Sequence, residues 1–266
     1  MDEIGGHRAD SAPHLRAGDR VLVTGAGSGI GEGIARVLAQ RGWRVAVNDV
    51  RPEAAGAVAA AVGGVAVVGD VGSDAAGVVD RAAVELGGLD ALVSNAGIHR
   101  RAPLAEVHAD QLDDVYRVNL RAVVLGARAA LAHFGDRGGL IVNTSSIAAV
   151  TPQMGVGLYT ATKAGVSAFT AQAAVEWGHR GVRVNAVAPG MVRTAMAEAV
   201  YADETLHERR RAMVPSGRIG TPEDIGRVVA FLLSDDAAYV NGQTIVVDGG
   251  LTHVLIDQLP HPPAAP

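Results

Sequence analysis

The sequence predicts an α/β fold: a single domain built on a doubly wound, parallel, seven-stranded sheet. Three observations carry this. Short runs of Val, Leu, Ile and Ala recur between glycine-marked turns and helical patterns, the rhythm of βαβ units. These runs lack polar–apolar alternation, as expected of strands covered on both faces. With 266 residues, 48% hydrophobic and only 3% aromatic, the chain can fill one large core with small aliphatic side chains.

Taken in order, Arg20–Thr24 (RVLVT) is a β-branched run that ends in a glycine-rich turn and reads as the first strand. Ile30, Ile34, Val37 and Leu38 then fall at helical spacing, and Gly42 marks the stop. Val45–Asn48 is the second strand, followed by Asp49 and an Ala-rich helix with Pro52 in its first turn. Val65–Gly69 is the third strand, with Asp70 at its end and a helix over Ser73–Leu86. Leu89–Ser94 is the fourth, followed by one long helix around Gln111–Ala132. Leu140–Thr144, Val182–Val187 and Thr244–Val247 complete the set. Residues 191–220 break the rhythm with more charge and Met, which suits a helical substrate lid beyond a strand end. Residues 1–18 read as a flexible arm, 19–251 as the folded domain and 252–266 as a Pro-rich tail.

Composition excludes several classes of function. A net charge of −5 without Lys/Arg-rich runs argues against nucleic acid. With no cysteine there can be no disulfide, thiolate metal site or thiol nucleophile. The nine histidines are scattered, so no metal is expected. The polar N-terminus lacks the apolar stretch of a secretory signal, and no run approaches the ~18 apolar residues of a membrane span. The expectation is a cytoplasmic protein that does not engage membranes.

The turn after the first strand holds Thr24, Gly25, Gly27, Ser28, Gly29, Ile30 and Gly31. Between a strand and a helix, such glycines let backbone N–H groups approach a pyrophosphate at the helix N-terminus. Asp49 lies where a carboxylate would accept hydrogen bonds from ribose hydroxyls and repel a 2′-phosphate. Ser28 is not basic and Val50 follows Asp49, so the expected cofactor is NAD rather than NADP. Arg51 is the one residue that could reach a phosphate, and Asp49 could also serve as a helix N-cap.

Tyr159 and Lys163 stand at i and i+4 and share one helix face. A phenol has an unperturbed pKa of about 10. A neighbouring ammonium favours the phenolate, so Lys163 is expected to lower the Tyr159 pKa for acid–base work.

Together these residues resemble the classical short-chain dehydrogenase/reductase family from about Arg20 to Leu251. TGAGSGIG is similar to its glycine turn, and Asp70-Val71 to its adenine-side pair. Ser94-Asn95-Ala96-Gly97 resembles its NNAG, with Ser94 in place of the first Asn. Asn119, Ser146, Tyr159 and Lys163 match its catalytic tetrad; Ser145 lies beside Ser146, which is chosen because it stands thirteen residues before Tyr159. Pro189, Gly190, Val192 and Thr194 fall in its PGxxxT stretch beside the nicotinamide.

The resemblance implies a Rossmann-type fold and hydride transfer between NAD(H) and an alcohol or ketone. In that arrangement Tyr159 exchanges the proton and Ser146 holds the substrate oxygen. Lys163 tunes Tyr159 and binds the nicotinamide ribose, while Asn119 holds a water that relays protons to Lys163. A homotetramer is also implied, with the Ala-rich stretches 123–131 and 169–175 packing between subunits.

The substrate pocket is expected around Ser146, Ile147, Ala148, Gln153, Met154, Leu158 and Tyr159, with His99 and with Met191, Met196 and Tyr201 from the lid. This mostly apolar set suits a hydrophobic or cyclic alcohol or ketone. The run Arg209–Arg211 reads as a solvated helix face, with contact to an anionic substrate group as the alternative. Competing readings are a catalytically silent dinucleotide-binding regulator, an NADP(H)-dependent biosynthetic ketoreductase, a sugar-nucleotide epimerase and an enoyl reductase. The chain has no room for the substrate domain of the epimerase and lacks the wider Tyr–Lys spacing of the enoyl reductase.

Overall fold

A computed structural model describes residues 19–194 and 203–254. Its strands are β1 (Arg20–Val23), β2 (Arg44–Asp49), β3 (Val65–Val68), β4 (Ala91–Ser94), β5 (Gly139–Thr144), β6 (Val182–Pro189) and β7 (Thr244–Val247). They form one sheet in the order β3-β2-β1-β4-β5-β6-β7, and every pairing is parallel. The order reverses between β1 and β4, which opens a crevice at the carboxyl ends of those strands.

The strands alternate their side chains between two cores. Val21, Val23, Val45, Val47 and Val93 face Ile34 and Leu38 of α1 (Gly29–Gln40) and Ile225 and Val229 of α8 (Pro222–Leu232). Leu22, Ala46, Leu92 and Ile141 face the other way. There they meet α3 (Val71–Leu86), α5 (Ala122–Phe134) and α6 (Tyr159–Trp177) through Val78, Ala127, Phe134 and Ala173. Helix α2 (Pro52–Val62) begins on Pro52 and ends at Gly63 in a left-handed cap, as its sequence requires. At Gly33 a side chain would collide with the backbone of Pro222, so α1 and α8 pack where glycine permits it.

Several boundaries differ from expectation. Helix α3 starts at Val71 rather than Ser73, because the Asp70 carboxylate accepts from Gly72 N–H at 2.8 Å and caps it. The single helix expected around Gln111–Ala132 is three pieces: α4 (Ala109–Tyr116), a π-helical turn over Arg117–Arg121, and α5. Strand β6 runs on through Pro189, carrying its pairing with β7 to the edge of the crevice.

Of the 191–220 segment, α7 (Glu204–Ala212) is helical, and Met191 packs with Val214 and Ile219. Its ends are tied together: Gly220 N–H donates to Met191 O at 3.0 Å and Arg193 N–H to Gly220 O at 2.9 Å. Met196 and Tyr201 lie outside the described residues, as do the arm at 1–18 and the tail from 255. The first residues of the expected tail are ordered: Leu251–His253 form a 3-10 turn, and Thr252 N–H donates to Asp248 at 2.7 Å.

Candidate active site

Two glycines of the first turn, Gly25 and Gly29, take positive φ angles of 61° and 60°, which an L side chain rarely adopts. Ser28 stands at the N-cap of α1 without a side-chain capping bond. Thr24 Oγ1 accepts from Asn95 N–H at 3.0 Å and Ala96 N–H at 3.1 Å, while Asn95 Nδ2 donates to the carbonyls of Thr24 and Gly25. The turn after β1 is thereby clamped to the Asn95–Gly97 turn after β4. Side chains at Gly25 or Gly31 would strike this clamp.

At the end of β2, the buried Asp49 accepts from Gly27 N–H at 3.1 Å and from Arg51 through its backbone and Nε, both at 3.0 Å. Burial opposes its ionisation, but these bonds to Arg51 and Gly27 hold its carboxyl below the usual range, so it is an anion. Arg51 also reaches Ser28 Oγ at 3.0 Å. Asp70 is farther along the crevice, paired with Arg117 at 2.9 Å.

Ser146 follows β5 and caps a short 3-10 turn, accepting from Ala148 N–H at 3.1 Å. Its neighbour Ser145 is buried and turned inward, bonded to Lys163 O and Ser167 Oγ, each at 2.9 Å. Tyr159 opens α6, and the His99 ring lies against its ring at 4.6 Å between centroids. Lys163, one turn on and 3% exposed, donates to Thr144 O at 2.7 Å and sits 5.7 Å from the Tyr159 ring centroid. Asn119 is carried by the π-helical turn, fully buried, with its carboxamide bonded to the backbone of Ile98. A side-chain carbon at Gly97 would stand 3.4 Å from Asn119 Oδ1 and 3.5 Å from Lys163 Nζ, so both converge on that glycine.

The electrostatics depart from expectation. Burial lowers the Lys163 pKa to about 8, since an ammonium is costly away from water. The Tyr159 pKa is raised, not lowered: desolvation of the phenolate outweighs the hydrogen bond from Ser146 that opposes it. Lys163 donates to Thr144 O and stands 5.7 Å from the centroid of the Tyr159 ring. Burial, with the charge of Arg101, also keeps His99 below its ordinary pKa.

Ser146 and Tyr159 share the wall of a cleft of about 230 Å³ with His99, Ile147, Ala148, Gln153, Val156, Gly190, Met191, Val192 and Arg210. Met154 is a correction: it is 99% exposed and not part of this wall, because the glycines at 155 and 157 turn the chain outward around it. Leu158 does not line the cleft either. His99 lines the cleft as its place after the Asn95–Gly97 turn suggests, Arg210 lines it as one member of the Arg209–Arg211 run, and Val156 is an addition that the sequence reading lacks. The segment from Gly190 to Thr194 leads from the cleft to the glycine turn, where the Thr194 side chain is 3.5 Å from the position a Gly29 Cβ would take.

These residues fit a nicotinamide dinucleotide. Left-handed glycines at a helix N-terminus, an anionic Asp49 at the next strand end, and Thr194 closing over Gly29 form a continuous cradle that leads to Tyr159. Among the described residues no group of His, Asp and Glu could hold a metal ion, and no helix is long and apolar enough to cross a membrane.

A family model described as "Enoyl-(Acyl carrier protein) reductase" matches residues 25–252. Cis-4-hydroxycyclohexanecarboxylate dehydrogenase of Sinomonas cyclohexanicum is 42% identical over 242 residues, covering 88% of this chain and 96% of that protein. Among solved structures, a gluconate 5-dehydrogenase from Burkholderia cenocepacia J2315, in complex with NADP and tartrate, superposes with a TM-score of 0.83. It is 34% identical and covers 91% of this chain and 98% of the other. A 3-ketoacyl-(acyl-carrier-protein) reductase from Brucella melitensis complexed with NADH gives 0.82 at 32% identity, covering 88% and 98%. Fold, ordered motifs and relatives agree, and the chain belongs to the short-chain dehydrogenase/reductase family.

Proposed function

We propose that this chain is an NAD(H)-dependent oxidoreductase that interconverts a secondary alcohol and a ketone. The observation that carries the reading is the placement of Ser146 and Tyr159 on one cleft wall, with buried Lys163 behind the phenol ring. Bound in the cradle, the nicotinamide would accept a hydride from the carbinol carbon or return it to the carbonyl carbon.

Tyr159 gives its phenolic proton to the carbonyl oxygen in reduction and takes the hydroxyl proton in oxidation. Ser146 donates a hydrogen bond to that same oxygen and fixes its distance from the phenol. Lys163 supplies positive charge beside the phenolate that oxidation creates, and Asn119 fixes the Gly97–Ile98 turn against it. Because burial favours the protonated phenol, the resting site is set for reduction at neutral pH, and oxidation gains toward alkaline pH.

Asp49 favours NAD, since its anionic carboxylate would meet a 2′-phosphate with like charge. The opposing feature is Arg51, and one structural neighbour carries NADP while another carries NADH. The relative named for a hydroxycyclohexane supports a cyclic secondary alcohol as substrate. We also assign a homotetramer, assembled on α5 and α6, where Val175 is 79% exposed; a monomer in sedimentation at micromolar concentration would remove that assignment.

The test is a panel of secondary alcohols and ketones, followed by the absorbance of the reduced nicotinamide. Turnover with NAD(H) well above that with NADP(H) is expected. Cofactor binding without turnover of any member would return the chain to the silent regulatory class.

A further inference from the structure

His99 belongs to a short segment, 98–102, that is fixed at both ends. At one end Asn119, from the π-helical turn, bonds both main-chain groups of Ile98. At the other, Ala102 forms an isolated parallel bridge with Val156. A side chain at Gly157 would stand 3.1 Å from Arg100 O and 3.6 Å from Ala102 O, so the segment rests directly on the chain that leads into α6. Tyr159 N–H in turn donates to Val156 O at 3.3 Å. The imidazole and the phenol are therefore mounted on one frame.

That frame brings the two rings together. Their centroids are 4.6 Å apart and their planes are tilted by 48°, within the roughly 4.5–7 Å range of favourable aromatic pairs. His99 is half-buried and lines the cleft beside Tyr159 and Ser146, so it covers the phenol from the cleft side. Burial and the charge of Arg101 keep the imidazole below its ordinary pKa, and it is neutral at neutral pH. The other polar groups around the phenol act differently. Ser146 gives it a hydrogen bond, Lys163 stands 5.7 Å from its ring centroid, and Arg210 is a cation on the same cleft wall. A neutral ring can displace water from the phenol without adding charge or competing for its hydroxyl.

We propose that His99 is a positioning residue for Tyr159: its ring fixes the orientation of the phenol toward Ser146 and excludes water from the cleft side of the phenol. The segment 98–102 is built for this task, since Asn119 and Val156 set where the imidazole lies. The proposal deepens the oxidoreductase reading by naming the residue on which the cover of its proton carrier depends. It rests on that reading only where turnover is measured.

The first test needs no substrate. Ionisation of Tyr159 is followed by phenolate absorbance after rapid jumps to alkaline pH. Each protein is compared with its own Tyr159→Phe form, which removes the signal of the other tyrosines. In His99→Ala the midpoint should fall from its raised value toward that of a free phenol, because water reaches the ring. His99→Phe keeps a ring and should keep the wild-type midpoint. His99→Leu keeps bulk alone, should fall between the two, and serves if the alanine variant does not fold. With an alcohol that is turned over, His99→Ala should lose about tenfold or more in kcat with little change in KM, and its alkaline limb should move to lower pH. His99→Phe should stay within about twofold of the wild type in kcat. A phenol midpoint that does not move in His99→Ala or His99→Leu overturns the proposal. So does a His99→Phe variant as slow as His99→Ala, since the imidazole nitrogens would then be the active part. If no alcohol or ketone is turned over, the oxidoreductase reading fails and the phenol titration alone decides the role of His99.

Discussion

Asn119 and Ile98 hold each other twice: Ile98 N–H donates to Asn119 Oδ1 at 2.8 Å, and Asn119 Nδ2 donates to Ile98 O at 2.9 Å. The asparagine acts as a piece of backbone, pairing both main-chain groups of a residue on the turn after β4. That turn carries Gly97 and leads to His99, so the pair sets one side of the candidate site.

Asn119→Ala leaves both Ile98 groups without their partner and should cost about 1–3 kcal/mol in urea unfolding. Asn119→Asp keeps the acceptor but loses the donor, and should fall between alanine and wild type. An alanine variant as stable as the wild type would show that the pair does not hold the turn.

Tyr159→Phe removes the proton carrier and leaves the ring that packs on His99. Turnover should drop by about 10²–10⁴-fold, while NADH binding followed by fluorescence stays close to wild type. In the wild type, kcat for alcohol oxidation should climb with pH into the alkaline range, because burial raises the phenol's pKa. A flat profile between neutral and alkaline pH would contradict that assignment.

Lys163 titrates at about 8 in the folded protein and at 10.5 when unperturbed. Between those values the unfolded chain binds the proton and the folded one does not, so stability rises with pH across that window. Measured against Lys163→Met, which lacks the group, the wild type should gain up to about 1.4 kcal/mol per pH unit there. A difference that does not change with pH would mean that the ammonium keeps its proton throughout, stabilised by Thr144 O beyond its desolvation.

Asp49→Ser removes the charge that would repel a 2′-phosphate while keeping a short polar side chain at the end of β2. The ratio of kcat/KM for NAD to that for NADP should fall by about tenfold or more, with Arg51 freed from its 3.0 Å contact to Asp49. An unchanged ratio would remove Asp49 from cofactor selection.

Much of the fold was legible because local rules and tertiary structure agreed. The runs at Arg20, Val45 and Leu140 are largely apolar on both faces, and that at Val182 buries Arg183 and Asn185 on one face by bonding them to backbone carbonyls; in the sheet both faces are covered. The glycine turn was legible for the same reason, since its spacing answers a backbone need at Gly25 and Gly29. What escaped depended on direction rather than residue type. Met154 is apolar and close in sequence to Ser146, yet the chain turns it out to solvent. Arg210 differs from Arg209 and Arg211 only in helical phase. The raised pKa of Tyr159 follows from burial of its phenol, which an i,i+4 spacing does not encode.

The π-helical turn at Arg117–Arg121 has a consequence for how this segment tolerates change in length. It holds one residue more than a regular α-helix would place in the same turn. Deleting a single residue there would restore a regular α-helix and leave α4 and α5 close to their present phase, while moving the side chains of the turn itself. Asn119 would then leave Ile98, while Ala127 and Phe134 of α5 could remain in the core. Substitutions can be absorbed one side chain at a time, but the residue count between Val115 and Ala122 is itself a structural requirement.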